Sequence, residues 1–336
     1  MGQRRALVTG AGGFIGHHLV TFLKQRDYWV RGVDLKRPEY EPSQADEFEV
    51  LDLRLRESCL QATESVDDVY ALAADMGGMG FISANHAQIL HNNSLIDLHT
   101  LRSAQESGVQ RLLYTSSACI YPEYLQEEAM TMPLKEDDAY PALPQDAYGW
   151  QKLISERLCT HYRDECGLET RVVRFHNIFG PRGTWERGRE KAPAALCRKV
   201  AFAKLAGNPE VEIWGDGKQT RSFCYIDDCV FGLHELMQSD YWQPLNLGQD
   251  RMVTVNELAD MIAKIAGVEI AKRHVDGPQG VRGRNSDNTL LREILEWEPQ
   301  ISLEAGLART YEWIEEQVRL TLPSLAQGQF KAALGA

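Results

Sequence analysis

Ala6-Leu7-Val8-Thr9-Gly10-Ala11-Gly12-Gly13-Phe14-Ile15-Gly16 sets a short apolar run directly against a loop with glycines at 10, 13 and 16. The run over 6–9 reads as a buried strand, and the pattern over 15–24 reads as an amphipathic helix. Glycines at this spacing let the backbone turn tightly and bring N–H groups and a helix N-terminus onto a pyrophosphate. Glycines also mark ordinary turns, so the context decides. Here the loop lies in a β–turn–α unit, and the next strand, Val30-Arg31-Gly32-Val33-Asp34, ends on a carboxylate 18 residues past Gly16. At that position an acid accepts hydrogen bonds from both ribose hydroxyls and repels a 2′-phosphate. The pattern predicts NAD rather than NADP, with Lys36 and Arg37 close by as the one opposing sign. Gly10, Gly13, Phe14, Ile15, Gly16 and Asp34 are the expected cofactor contacts, and Asp52, after the following strand, is expected near the adenine.

Outward from that loop, apolar runs recur at 29–33, 69–72, 111–115 and 170–175, with helical patterns at 85–107 and 147–166 between them. Alternating strands and helices with short connections imply an α/β fold with a Rossmann-type, doubly wound parallel sheet. Past residue 175 the rhythm changes. A Gly-, Pro- and Arg-rich loop (176–190) leads into a helix near 192–206, a strand at 211–214 and amphipathic helices at 255–266 and 303–316. We expect an NAD-binding domain over 1–175 and a smaller α/β substrate-binding domain over 176–323. Segments 223–226 and 244–247 look like buried strands returning to the first sheet. The tail 324–336 is rich in small residues and is expected to fray.

The composition narrows the partners. The 336 residues are 43% hydrophobic and 25% charged, which suits a globular chain. No apolar run reaches the roughly 20 residues of a membrane span, and the first residues carry no signal-peptide core. The net charge of −12 argues against a nucleic-acid backbone or an anionic membrane as partner. Seven scattered cysteines without Cys-x-x-Cys offer no zinc site and suit reduced thiols, hence the cytoplasm. His86 and the His17-His18 pair have no partner pattern and read as structural, so no metal is expected.

Two further stretches carry chemistry. Tyr148 and Lys152 form Tyr-x-x-x-Lys, and positions i and i+4 share a helix face. An ammonium beside a phenol stabilises phenolate, which suits a base that takes a hydroxyl proton while hydride leaves for a nicotinamide. Such pairs are also common on solvated helices. The second stretch is Ser116-Ser117-Ala118-Cys119-Ile120-Tyr121-Pro122-Glu123, just past the strand at 111–115. Cys119 has two readings, a packing thiol or an acid/base on bound substrate.

The glycine loop, Asp34, Ser117 and the Tyr148/Lys152 pair resemble the extended short-chain dehydrogenase/reductase superfamily. Longer strings resemble the GDP-mannose 3,5-epimerase family within it. They include Ala73-Ala74-Asp75-Met76-Gly77-Gly78-Met79-Gly80, the segment around Cys119, Pro144-Gln145-Asp146-Ala147-Tyr148-Gly149 and Arg174-Phe175-His176-Asn177. Further on come Gly188-Arg189-Glu190-Lys191-Ala192-Pro193, Trp214-Gly215-Asp216-Gly217-Lys218-Gln219-Thr220-Arg221-Ser222 and Gly280-Val281-Arg282-Gly283-Arg284. The resemblance runs from about residue 5 to about residue 320. It implies an isomerase that oxidises a GDP-hexose at C4, exchanges protons at C3 and C5, and reduces C4 again. GDP-mannose would give GDP-L-galactose, with GDP-L-gulose as side product.

Carried over by resemblance, Cys119 is the base, Lys191 the opposing acid, Tyr148 with Ser117 serves the C4 hydroxyl, and Lys152 holds cofactor and phenol. The same resemblance implies Gly77, Ala118, Asn177, Glu190, Ala192, Lys199, Gln219, Thr220, Arg221 and Arg284 as further substrate contacts. The chemistry is consistent with this. Inversion through an enolate needs groups on opposite faces, and a thiol of pKa about 8.5 ionises further beside an ammonium. The superfamily's habit of pairing two subunits through two helices each implies a homodimer through 85–107 and 147–166.

Rival activities differ at the same positions. A dehydratase of this superfamily usually has Thr-Asp-Glu where Ser117-Ala118-Cys119 stands. A C4 epimerase or a single-centre epimerase on another nucleotide sugar would look much alike elsewhere, and a C4 epimerase needs neither thiol nor lysine. A catalytically silent nucleotide-sugar binder would have little use for Cys119, Tyr148, Lys152 and Lys191 together.

Overall fold

Six strands from the first half pair in parallel: β1 (Arg5–Thr9), β2 (Trp29–Asp34), β3 (Glu47–Val50), β4 (Asp68–Ala71), β5 (Arg111–Ser117) and β6 (Glu169–Phe175). Their spatial order is β3-β2-β1-β4-β5-β6, and Pro244–Leu247 adds a seventh strand beside β6. The structure is a computed structural model that describes residues 2–278 and 280–325; of the expected tail over 324–336, positions 324 and 325 end the helix Leu303–Leu325 and the rest lie outside the described residues. The sheet is the doubly wound parallel sheet expected from the alternating pattern. Strand order reverses between β1 and β4, and a crevice opens there at the carboxyl ends of the strands.

Both faces of the sheet are covered, which is why its strands read as continuous apolar runs. Successive side chains point to opposite faces. Leu7 joins one core with Val33, Val69, Leu112 and Tyr114, while its neighbours Ala6 and Val8 join the other with Val30, Tyr70, Leu113 and Val173. The Leu7 side is covered by Cys59 of α2 (Arg56–Thr63), Leu101 of α4 (His86–Glu106) and Cys159 of α5 (Ala147–Cys166). The Val8 side is covered by Leu19 and Leu23 of α1 (Phe14–Lys24) and by Leu233 and Leu236 of helix Ile226–Gln238. A short α3 (Met79–Ala84) precedes α4.

Helix α5 carries Tyr148, and its ends are fixed by local chemistry. The Asp146 side chain accepts from Gly149 N at 2.9 Å, a capping bond that sets the first turn. Gly167 ends the helix in the left-handed region with φ 72°.

The second half contributes α6 (Ala192–Ala206), helices Val255–Ala266 and Leu303–Leu325, and two small sheets. Glu210–Trp214 pairs with Ala271–Val275, and Thr220–Ser222 pairs with Met252–Thr254 and with Gly283–Arg284. One segment differs from expectation. Cys224–Tyr225 does not join the main sheet but pairs with Ile178–Phe179, and Ile226 already starts a helix. A buried apolar run of four residues does not distinguish a strand from the start of a buried helix.

Candidate active site

One cleft of about 950 Å³ runs from the glycine loop, past the ends of β4 and β5, to α6 and the strand Gly283–Arg284. Of the residues expected in the site, all but Thr220 line it. Thr220 is buried, and its hydroxyl donates to the Ala129 carbonyl.

The cofactor end is built from backbone. Gly10 has φ 71°, and its carbonyl accepts from Gly13 N at 3.0 Å. A Cβ on Gly12 would lie 2.1 Å from the Lys36 carbonyl, and one on Gly16 would lie 2.2 Å from the Gly10 carbonyl, so the loop closes only with glycine there. Helix α1 then begins at Phe14, and its N-cap Gly13 supplies no side-chain cap, which leaves first-turn N–H groups for an anion. The Asp34 carboxylate accepts from Gly12 N at 3.0 Å and from Lys36 N at 3.2 Å, one bond per oxygen. Each oxygen keeps a lone pair for a ribose hydroxyl. Burial raises the pKa of Asp34, and the bonds from Lys36 and Gly12 oppose that rise. A cradle that a Cβ would fill, followed by an acid with open lone pairs, fits NAD. Asp52 lines the same end, held by Arg54 through Nη2 at 2.6 Å.

Alternation along β5 separates the two serines. Ser116 turns into the protein and donates to Glu156 Oε1 at 2.5 Å. Ser117 turns to the cleft, accepts from Cys119 N at 3.2 Å and hydrogen-bonds the Tyr148 hydroxyl. Tyr148 reaches this spot because the first turn of α5 packs on the Cys119 backbone. A Cβ on Gly149 would stand 2.2 Å from the Cys119 carbonyl. Tyr148 is buried with Ile82 and Ile89, against Met76, Phe81 and Cys119. That burial, with Cys119 next, holds the phenol above its ordinary pKa, and Ser117 pulls the other way. Lys152 follows one turn later on α5. Its Nζ donates to the Thr115 carbonyl at 2.9 Å and stands 5.8 Å from the centre of the Tyr148 ring. Burial lowers the pKa of Lys152 itself, and Asp97 opposes that.

Cys119 sits where four elements converge. Arg284 Nη1 donates to its Sγ at 3.3 Å. Lys191, the N-cap residue of α6, lines the cleft and interacts electrostatically with Cys119. Burial lowers the Lys191 pKa, and Cys119 partly offsets this. The Lys191 residue is exposed along the cleft wall, yet its ammonium is enclosed by protein. Arg221 is pulled down to about 9 by burial, with repulsion from Arg284 second; its Nη groups donate to the Thr220 and Val281 carbonyls. The sequence reading paired Cys119 with Lys191 and gave Arg284 to the nucleotide; the geometry adds Arg284 as the group on the sulfur.

The rest of the wall is mixed. Gly77 and Ala118 present small surfaces. Asn177 donates to the Ser222 carbonyl at 2.9 Å, and Lys199 donates to that of Glu212 at 3.0 Å. Glu190 accepts from Arg198 at 2.9 Å while its Oε2 is buried without a partner. Gln219 donates to the Trp214 carbonyl, and its Oε1 is likewise buried and unpartnered. Ala192 starts α6 beside them. Two unpartnered acceptors in a cleft wall suit a ligand rich in N–H donors.

Three groups that support the site escaped the sequence reading. Glu156 binds Arg174 through both oxygens, at 2.9 and 2.8 Å, and Arg174 also donates to the Tyr121 hydroxyl, so a buried ion pair backs the end of β5. Glu156 lies four residues after Lys152 on the inward face of α5, a spacing that points to it. Arg189 bridges the walls, with Nη1 3.5 Å from Asp75 and its carbonyl accepting from Gly78 N. Gln126 holds Arg284, and nothing local in the sequence marks it.

A model of the NAD dependent epimerase/dehydratase family matches residues 6–248. A GDP-mannose 3,5-epimerase of Arabidopsis thaliana is 50% identical over 313 residues, which cover 93% of this chain and 82% of that protein. GDP-mannose 3,5-epimerase 1 of Oryza sativa subsp. japonica is 51% identical over 316 residues, 94% of this chain and 82% of that one. Among solved structures, UDP-glucose 4-epimerase from Thermotoga maritima with UDP-glucose superposes with a TM-score of 0.83 at 28% identity, covering 94% of this chain and 99% of that one.

Proposed function

The chain belongs to the NAD dependent epimerase/dehydratase family, and on that premise we propose that it is an isomerase of a GDP-hexose. It converts GDP-mannose to GDP-L-galactose by inverting C3 and C5, with GDP-L-gulose as side product. Held by the glycine loop and Asp34, NAD would supply the hydride acceptor and donor for C4 of the hexose. Tyr148, hydrogen-bonded by Ser117, accepts the C4 hydroxyl proton and later gives it back. The C4 ketone acidifies the C–H bonds at C3 and C5. Cys119, as thiolate, takes a proton from one face, and the Lys191 ammonium delivers one to the other. Lys152 keeps its ammonium beside the cofactor and the phenol. Arg221 and Lys199 supply positive charge for the diphosphate.

What supports this reading is the meeting of Cys119 and Lys191, 72 positions apart in sequence, in the one cleft that also holds Tyr148 and the glycine loop. The test is to incubate the purified protein with GDP-mannose and, separately, with UDP-glucose, and to separate the nucleotide sugars. GDP-L-galactose and GDP-L-gulose are expected from the first, and unchanged UDP-glucose from the second. The opposite pattern would assign a C4 epimerase instead.

A homodimer belongs to the same reading. Leu90 and Leu98 of α4 and Trp150 and Ile154 of α5 expose apolar surface on two helices that pack side by side. Pairing these faces buries them in a four-helix bundle. A dimeric mass by light scattering at micromolar protein is expected, falling to the monomer in Trp150→Asp; a monomeric wild type would overturn this. Among the described residues no helix is long and apolar enough to cross a membrane. All seven cysteines are free, which supports a reducing compartment, the cytoplasm.

A further inference from the structure

The Arg284 guanidinium is not left to find the Cys119 sulfur by itself. Its Nε donates to Gln126 Oε1 at 2.6 Å while Nη1 donates to Cys119 Sγ at 3.3 Å. Gln126 is buried, and its own amide is fixed in turn: Nε2 donates to the Tyr121 and Pro122 carbonyls, both at 3.1 Å. Those carbonyls belong to the turn that follows Cys119. The backbone carbonyl of Gln126 also accepts from Arg282 N at 2.9 Å and from Gly283 N at 3.1 Å. One residue therefore ties the thiol-bearing turn to the strand that carries the guanidinium, through main chain and side chain together.

We propose that Gln126 is a positioning residue for the proton abstraction at Cys119: it locks the Arg284 guanidinium against the sulfur. A charged donor on sulfur stabilises thiolate over thiol, and a planar guanidinium held at Nε cannot swing its Nη1 away without breaking that bond. Four titratable groups from four elements act on the sulfur: Tyr148 of α5, Lys191 at the start of α6, Arg221 of Thr220–Ser222 and Arg284 of Gly283–Arg284. Arg284 alone among these has a hydrogen bond to the sulfur in the described structure. Arg221 stands behind it and repels it, so without Gln126 the pair of guanidiniums would be expected to separate. This rests on the reading of Cys119 as the base.

The experiment is alkylation of Cys119 by iodoacetamide as a function of pH, followed by peptide mass, in a Cys166→Ser background that removes the exposed thiol. The midpoint pH reports the thiol directly and does not depend on epimerisation. Gln126→Met keeps length and loses the acceptor; it is expected to raise the midpoint by part of the Arg284→Met shift, which removes one neighbouring charge and is roughly one unit. Gln126→Asn keeps the amide but withdraws it by one methylene from both Arg284 and the turn carbonyls, and is expected to raise the midpoint as well. Arg284→Met sets the full effect, and unchanged thermal unfolding of Gln126→Met excludes a folding defect. A midpoint that stays put in Gln126→Met while Arg284→Met moves it would overturn the role of Gln126, and one that moves in neither would overturn the role of both. If Gln126→Met unfolds early, Gln126→Asn decides: a wild-type midpoint contradicts the proposal, and a raised one supports it. Failure here would leave the epimerase reading standing. Failure of wild type to convert GDP-mannose, with the midpoint shifts as expected, would do the reverse.

Discussion

The two ends of the cleft are built in different ways. The cofactor end is a contiguous stretch, β1 to the end of β2, in which glycine spacing and a helix N-terminus form the cradle and Asp34 adds one side chain. The reacting end is assembled from side chains scattered over the chain: Ser117 and Cys119 after β5, Tyr148 on α5, Lys191 before α6, and Arg221 and Arg284 on short strands. Backbone sites tolerate no added atom. Side-chain sites tolerate substitution of the fold but not of the function. Mutations at the two ends should therefore fail in different ways.

The largest effect is expected at the backbone end. Gly16→Val places a side chain where even a Cβ would meet the Gly10 carbonyl at 2.2 Å, and the protein is expected to be isolated without NAD and without activity, as read by absorbance of the extracted nucleotide. Retention of a full complement of NAD would break the contrast. At the other end, Lys191→Met should keep NAD and the fold yet lose epimerisation by roughly 10²–10⁴, the range for a missing acid/base group. Its pH profile sharpens the point. Burial lowers the Lys191 pKa from its ordinary 10.5, so the ammonium proposed as the proton donor is lost at a lower pH than for a free lysine. The alkaline limb of kcat is expected below that value in the wild type and absent from the residual activity of Lys191→Met.

The third expectation concerns the wall behind the reacting end. Arg174→Leu leaves Glu156 as a buried, unpaired charge under β5, and a loss of roughly 3–5 kcal/mol in denaturant unfolding is expected. An unchanged midpoint would mean that water or another cation compensates. The smallest effect is expected for Asp34→Asn. It has one acceptor oxygen in place of two, so it gives up the bond from Gly12 N or Lys36 N and weakens those to the ribose, and NAD affinity should fall by at least roughly tenfold, the equivalent of one charged hydrogen bond.

The same contrast explains what the sequence made legible. The cofactor end was readable because its determinants are local: three glycines, an apolar strand, an acid after the next strand. Strands β1, β2, β4, β5 and β6 were readable because a sheet covered on both faces demands unbroken apolar runs. Helix α2 was not, since its outward face is polar and its inward contacts are few, Cys59 and Ala62 among them. At the reacting end, residue types were legible and contacts were not. Nothing in the string around Arg284 says that its guanidinium meets a sulfur 165 positions away. Nor does the Tyr-x-x-x-Lys spacing reveal that the Lys152 ammonium donates a hydrogen bond to the Thr115 carbonyl. Thr220 shows the limit from the other side: it belongs to the matching string, yet its hydroxyl turns to Ala129.

The central claim is that a thiol exchanges protons beside a transient C4 ketone, and deuterium reads it directly. Wild-type protein incubated with GDP-mannose in deuterated water is predicted to return nucleotide sugar labelled at C3 and C5, and Cys119→Ala is predicted to return it unlabelled while still holding NAD. Unlabelled sugar from the wild type, or full labelling by Cys119→Ala, would contradict the account.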